Sequence, residues 1–387
     1  MKKLSYLIVL ALILGLVLTG CSLLSNVGQV PTSEQSGVSS VTKSPSMSYG
    51  DITLSGGFQA GHFPEIWDLN ACDMTISFTY DANGLMDDAG AHAWAALGIR
   101  EVGYGDFNPT WDVEGAGVWL ATDYDWTVDT FGPDPEGSPI LDMDDKLILQ
   151  KAGGHGEGDY NLPSVPPIPG NNHRVWWDRD EVDPYQNKET ANTGGFYNVV
   201  IKLTDTSATT GTAYMTINDL DQGFEVDGVW STIELTPAGM TFTGDMTKMQ
   251  VFYGLSGYGA THSVAFEDIT VDGCLYLFEV GIDIKPGSDP NSINLGSKGV
   301  VPVAVLTTDD FDSSNIDPTT VIFAGASPVR WTIEDVDGDG DMDLLFHFKT
   351  QELNLTESST EATLTGETYG GNPIEGTDTV NIVPKVK

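Results

Sequence analysis

Between Gly50 and Gly273 short runs of β-branched and aromatic residues are separated by turn residues, and in the clearest of them the apolar residues fall at every second position. In Tyr197-Asn198-Val199-Val200-Ile201-Lys202-Leu203, Tyr197, Val199, Ile201 and Leu203 share one face and Asn198 and Lys202 the other, the period of a half-buried strand. Further runs cover 74–81, 93–104, 117–122, 146–151, 173–178, 212–218, 248–254 and 263–272. The 44 Gly and 20 Pro supply turns between them; Thr209-Thr210-Gly211 marks one, joining 197–204 to the following run as a hairpin. No window carries a capped stripe of period 3.6, which excludes a βαβ architecture. Many short strands and turns predict an all-β chain built as sandwiches.

The length of 387 residues suggests two domains. Charge then narrows the partners. With 56 acidic and 17 basic residues the net charge is −39, which repels phosphate and excludes nucleic acid as a main partner. Such a surface favours divalent cations, a salty exterior or simple colloidal solubility.

Residues 1–20 read as an address. Lys2 and Lys3 precede an apolar run from Leu7 to Leu18, the n-region and h-region of an export signal. Leu18-Thr19-Gly20-Cys21 resembles the bacterial lipobox, which implies cleavage before Cys21 and acylation of that cysteine. Two or three acyl chains anchor a protein stably. The resemblance implies an exported lipoprotein held at the membrane of the cell envelope, facing the extracellular or periplasmic side. Residues 21–48, rich in Ser, Thr, Gln and Pro, read as a disordered tether. Of the 3 cysteines, Cys72 and Cys274 remain. They flank the first and last strand runs of one domain, and are either a disulfide or two buried thiols.

Residues 49–276 resemble, at the level of fold, the concanavalin-like lectin and glucanase superfamily, a large jelly-roll sandwich. Residues 280–387 resemble a C-terminal module of many exported bacterial and archaeal proteins, carried by Ile282-Asp283-Ile284-Lys285-Pro286-Gly287-Ser288, Asn291-Ser292-Ile293-Asn294-Leu295 and Gly299-Val300-Val301-Pro302-Val303-Ala304-Val305-Leu306. Its size and about seven strands fit a smaller, immunoglobulin-like sandwich. Pro302 within an apolar run argues for an edge position or a bulge.

In the second half, Asp335-Val336-Asp337-Gly338-Asp339-Gly340-Asp341-Met342-Asp343 puts an acid at every odd position. Calcium takes six to eight oxygens, and a Gly-containing loop can wrap several carboxylates around one ion. Asp335, Asp337, Asp339 and Asp343 are expected as side-chain ligands and Asp341 as a carbonyl ligand. Phe346 stands where an EF-hand needs a bidentate Glu. The run resembles instead the calcium loops of β-propeller and thrombospondin-type repeats. Asp142, Asp144 and Asp145, and Asp178, Asp180 and Asp183, are weaker acidic clusters.

In the first half, His173, Arg174, Trp176, Trp177, Asp178, Tyr185 and Asn187 combine aromatic faces with hydrogen-bonding groups, the chemistry that binds a polysaccharide or glycoprotein. The adjacent tryptophans fall on opposite faces of a strand, so either can serve the core. The Gly-aromatic segment 253–259 could line the same groove, though its glycines suit turns. The paired-carboxylate strand Glu-x-Asp-x-x-Glu of glucanases is missing after both Glu181-Val182-Asp183 and Glu225-Val226-Asp227, so no catalytic residue is assigned. Nothing in the sequence sets an oligomeric state.

Overall fold

The computed structural model describes residues 46–84, 92–103, 117–125, 146–151, 160–161, 174–178, 196–220, 225–226, 229–230, 233–234, 239–258 and 263–383. Among them there is no α-helix. The chain is all-β, and the described residues include short 3-10 turns at Ser313–Asn315 and Thr350–Glu352.

Two large, mainly antiparallel sheets make the first sandwich; only Tyr160–Asn161 and Arg174–Asp178 pair parallel among their described strands. One runs in the order Met47–Ser48, Ser263–Asp272, Met74–Gly84, Phe196–Ser207, Thr210–Asp219, Ile233–Glu234, with Ile52–Ser55 and Met240–Thr243 added at its flanks. The other runs Gln59–Trp67, Met249–Tyr258, His92–Glu101, Gly117–Asp125, Lys146–Lys151, Arg174–Asp178, Tyr160–Asn161. Alternation decides what lies between them. Tyr197, Val199, Ile201 and Leu203 are buried while Asn198 and Lys202 are exposed. Ile76, Phe78, Leu97, Ile99, Val251 and Phe266 join the same core.

Several local expectations need correction. Ser207 pairs with Thr210, so the hairpin turns at Ala208-Thr209, one residue earlier than the Gly-based reading. Gly254 and Gly257 pair with Ala96 and Ala93 within a strand and serve no turn. Strand pairing also reaches into the expected tether, because Met47 and Ser48 pair with Val271 and Thr270.

Cys72 precedes the Met74–Gly84 strand and Cys274 follows Ser263–Asp272. These strands pair antiparallel, with Thr75 opposite Asp272, which brings the two cysteines to the same end. They form a disulfide with Cα atoms 5.7 Å apart across 202 residues of sequence.

A second core begins at Val280 and shares no residue with the first. One sheet is Phe278–Glu279, Pro373–Thr379, Glu361–Thr368, Ile316–Phe323; the other is Ile282–Ile284, Val300–Val305, Asp343–Lys349, Pro328–Glu334. Val303, Val305, Phe323, Phe346, Phe348 and Leu364 fill the space between. Val300–Val305 has a neighbour on both sides, so Pro302 is not on an edge strand. The proline is tolerated because the Ile282–Ile284 ladder stops at Val303, just short of it. Its carbonyl still accepts from Lys285 N at 2.8 Å.

The two cores belong to one compact unit, 41–387. Asn372, buried on a turn of the second sandwich, links the two: its Oδ1 accepts from Ile66 N at 2.9 Å, and its Nδ2 donates to Ile66 O at 2.7 Å and Tyr276 O at 3.0 Å.

Candidate metal centre

The acidic run connects Pro328–Glu334 to Asp343–Lys349, and Glu334 pairs with Asp343 across the base. A hydrogen-bonded ladder therefore holds both ends of the loop. Within it the carboxylates bond forward to backbone. Asp335 Oδ1 accepts from Gly338 N at 2.7 Å, Asp337 Oδ1 from Asp339 N at 3.2 Å, and Asp339 Oδ1 from Asp341 N at 3.1 Å. Gly338 and Gly340 take φ of 83° and 105°, a region in which any other residue is strained. The loop curls inward as a result. One oxygen each from Asp335, Asp337 and Asp343 lies within 4.8 Å of the others. Oxygens at about 2.3–2.6 Å from one calcium ion can be at most about 5 Å apart, so the triad can hold a metal ion.

Asp343 is the anchor. It is 0% exposed, and a buried carboxylate is costly unless hydrogen bonds replace its water. Thr307 N donates to its Oδ1 at 2.9 Å and Val336 N to its Oδ2 at 2.8 Å. The Thr307 hydroxyl also donates to Met342 O at 2.7 Å. Sequence reasoning missed Thr307, and no local pattern points to a residue 36 positions away.

Asp339 and Asp341 stand outside the triad, although Asp339 was expected within it. The backbone N–H of Asp341 holds the Asp339 carboxyl below its usual range. Asp341 is pushed the other way, to about 6, by desolvation first and then by its hydrogen bond to Asp339 and the neighbouring charges. Its Oδ1 is buried without a hydrogen-bond partner. Asp337 is also raised, with desolvation leading. Asp283, beyond the loop, is raised by burial and then by the charges of Asp378 and Asp337. Negative charge thus converges here from three directions, and a cation would relieve it.

The expected glycan residues are only partly placed. Arg174, Trp176, Trp177 and Asp178 lie on the Arg174–Asp178 strand, where Trp176 is opposite Ile148 and Trp177 opposite Leu147. His173, Tyr185 and Asn187 lie outside the described residues, as do Cys21, Asp142, Asp144, Asp145, Asp180 and Asp183. Tyr253 packs against the first core with its ring 5.6 Å from that of Phe63.

No family model matches the chain, and no curated protein matches it in sequence. Among solved structures, the carbohydrate recognition domain of Emp46p in its metal-free form aligns at 9% identity and a TM-score of 0.32, over 59% of this chain and 86% of that one. The Bacteroides ovatus mixed-linkage glucan utilization locus protein SGBP-B, in complex with a heptasaccharide, aligns at 9% identity and a TM-score of 0.17, over 76% and 62%. A bacterial ice-binding adhesin structure aligns at 14% identity and a TM-score of 0.18, over 85% and 99%. Superpositions this loose carry no argument about what the chain does.

Proposed function

We infer that the chain is a non-catalytic binding protein of the cell envelope, exported, lipid-anchored at Cys21 and stabilised by calcium in its second sandwich. The observation that carries the reading is the convergence of Asp335, Asp337 and Asp343 on one point. Calcium is the ion of choice because the donors are all hard oxygens on a glycine-hinged loop, which suits its flexible coordination better than the strict octahedron of magnesium. Asp339 and Asp341 would complete the shell by adjusting within the same loop. The first sandwich takes a polysaccharide or glycoprotein, a reading supported by the aromatic and polar pattern from His173 to Asn187. The lipobox supports the anchor.

The deciding measurement is calorimetry of the 41–387 unit in EGTA and in millimolar calcium. An ion bound only by the folded state adds about 2.7 kcal/mol at a hundred times Kd. For a sandwich of about 100 residues that raises the melting temperature by about 10 °C or more. Equal melting in both buffers would reduce the loop to an acidic turn. A glycan array in the calcium buffer then tests the ligand, and silence across it would leave a structural or adhesive envelope protein.

A further inference from the structure

The Pro328–Glu334 strand is outermost in its sheet, paired with Asp343–Lys349 on one side. Among the described residues nothing pairs with its other side. Its register sets Trp331 opposite Phe346 and Ile333 opposite Leu344. Those partners are buried in the core, yet Trp331 is 43% exposed, Ile333 63% and Val329 46%. The packing that covers Phe346 does not extend over its neighbour. An apolar shelf and a free backbone edge therefore coincide, a combination that invites another strand. Arg330, Thr332 and Glu334 share the opposite face, where Thr332 Oγ1 donates to Glu334 Oε1 at 3.0 Å.

We propose that this edge is a self-association surface, on which two copies pair residues 330–334 antiparallel about a two-fold axis at Thr332. The two four-stranded sheets then become one of eight. In that register Arg330 faces Glu334 twice, Trp331 faces Ile333 twice and Thr332 faces itself. Opposite charges meet, and the two apolar shelves join on one side. Neighbouring registers fail. Sliding the pairing by one residue sets the apolar face of one copy against the polar face of the other. Centring it on Ile333 puts Trp331 against Asp335, and centring it on Trp331 runs into the bulge between Pro328 and Arg330. The occupant is a second copy because the complementarity is internal to the strand. A net charge of −39 on each chain opposes association, so the two Arg–Glu pairs matter for the contact. None of this requires the ion.

The test is cross-linking of the full chain in calcium-containing buffer. In an antiparallel pair, opposed Cα atoms are about 4.5–5.5 Å apart, within disulfide range. Thr332→Cys should give a covalent dimer on mild oxidation, read on a non-reducing gel against the unaltered chain. Thr365→Cys, exposed on the other sheet, should not. Adding Arg330→Glu to Thr332→Cys should cut dimer yield about tenfold by opposing like charges, and further adding Glu334→Arg should restore it. These side chains are exposed, and unchanged melting would confirm an intact fold. No dimer from Thr332→Cys, equal dimer from Thr365→Cys, or a charge swap that restores nothing would each overturn the proposal. So would a monomer whose Trp331 fluorescence answers to an oligosaccharide, which would give the shelf to sugar.

Discussion

Asp343 shows how much one side chain can do in the acidic loop. It offers an oxygen to the triad and, through Thr307 N and Val336 N, fixes the loop to a neighbouring turn. Asn in its place keeps the shape but has only one accepting oxygen. Asp343→Asn should therefore cost about 1–3 kcal/mol even in chelator, since one buried N–H loses its partner. It should also remove most of the calcium-dependent gain in melting temperature, which the exposed Asp335 could not explain by packing alone. Calorimetry of the variant in both buffers separates the two effects. A full calcium shift in Asp343→Asn would exclude this carboxylate as a ligand.

At the level of elements, one buried amide ties the two sandwiches through three hydrogen bonds, beside the close approach of Gly370 to Pro64. Asn372 meets the Gln59–Trp67 strand and the segment after Cys274 together, and Tyr276 N donates to Ile66 O at 2.8 Å beside it. Replacing a buried amide that serves three backbone groups leaves donors and acceptors unmet. Asn372→Ala should cost about 2–3 kcal/mol. Because the loss falls between two cores, limited proteolysis should cut residues 274–281 faster in the variant. Unchanged cleavage would mean that the two sandwiches are held by other contacts.

For the whole molecule, charge is the dominant field. Exposed ion pairs such as Lys349 with Glu352 at 2.8 Å contribute little, so a net charge of −39 acts mainly as self-repulsion. Raising sodium chloride from about 0.1 M to 1 M shortens the screening length from about 10 Å to 3 Å. In chelator, the melting temperature of the 41–387 unit should rise over that range. A fall would show that specific attractive pairs outweigh the repulsion.

What the amino-acid order determined by itself is what depends on near neighbours. The strands 146–151 and 263–272 were legible to the residue and most others to within a few, because β-branched and apolar runs bounded by turn residues mark a strand and a pleated backbone turns every second side chain the same way. The acidic loop was legible too, since its forward carboxylate-to-backbone bonds span two or three residues. Other features needed the chain to close. Thr307 reaches Asp343 across 36 residues and Asn372 reaches Ile66 across 306; no periodicity encodes such distances. Pro302 reads as an edge or bulge residue in sequence, and only the early end of the Ile282–Ile284 ladder explains its place, without a register shift, in an inner strand. Trp331 and Ile333 alternate like any buried pair, yet the sandwich stops short of them. Alternation specifies which face a residue occupies, while the number of layers packed over that face is decided by the tertiary structure alone.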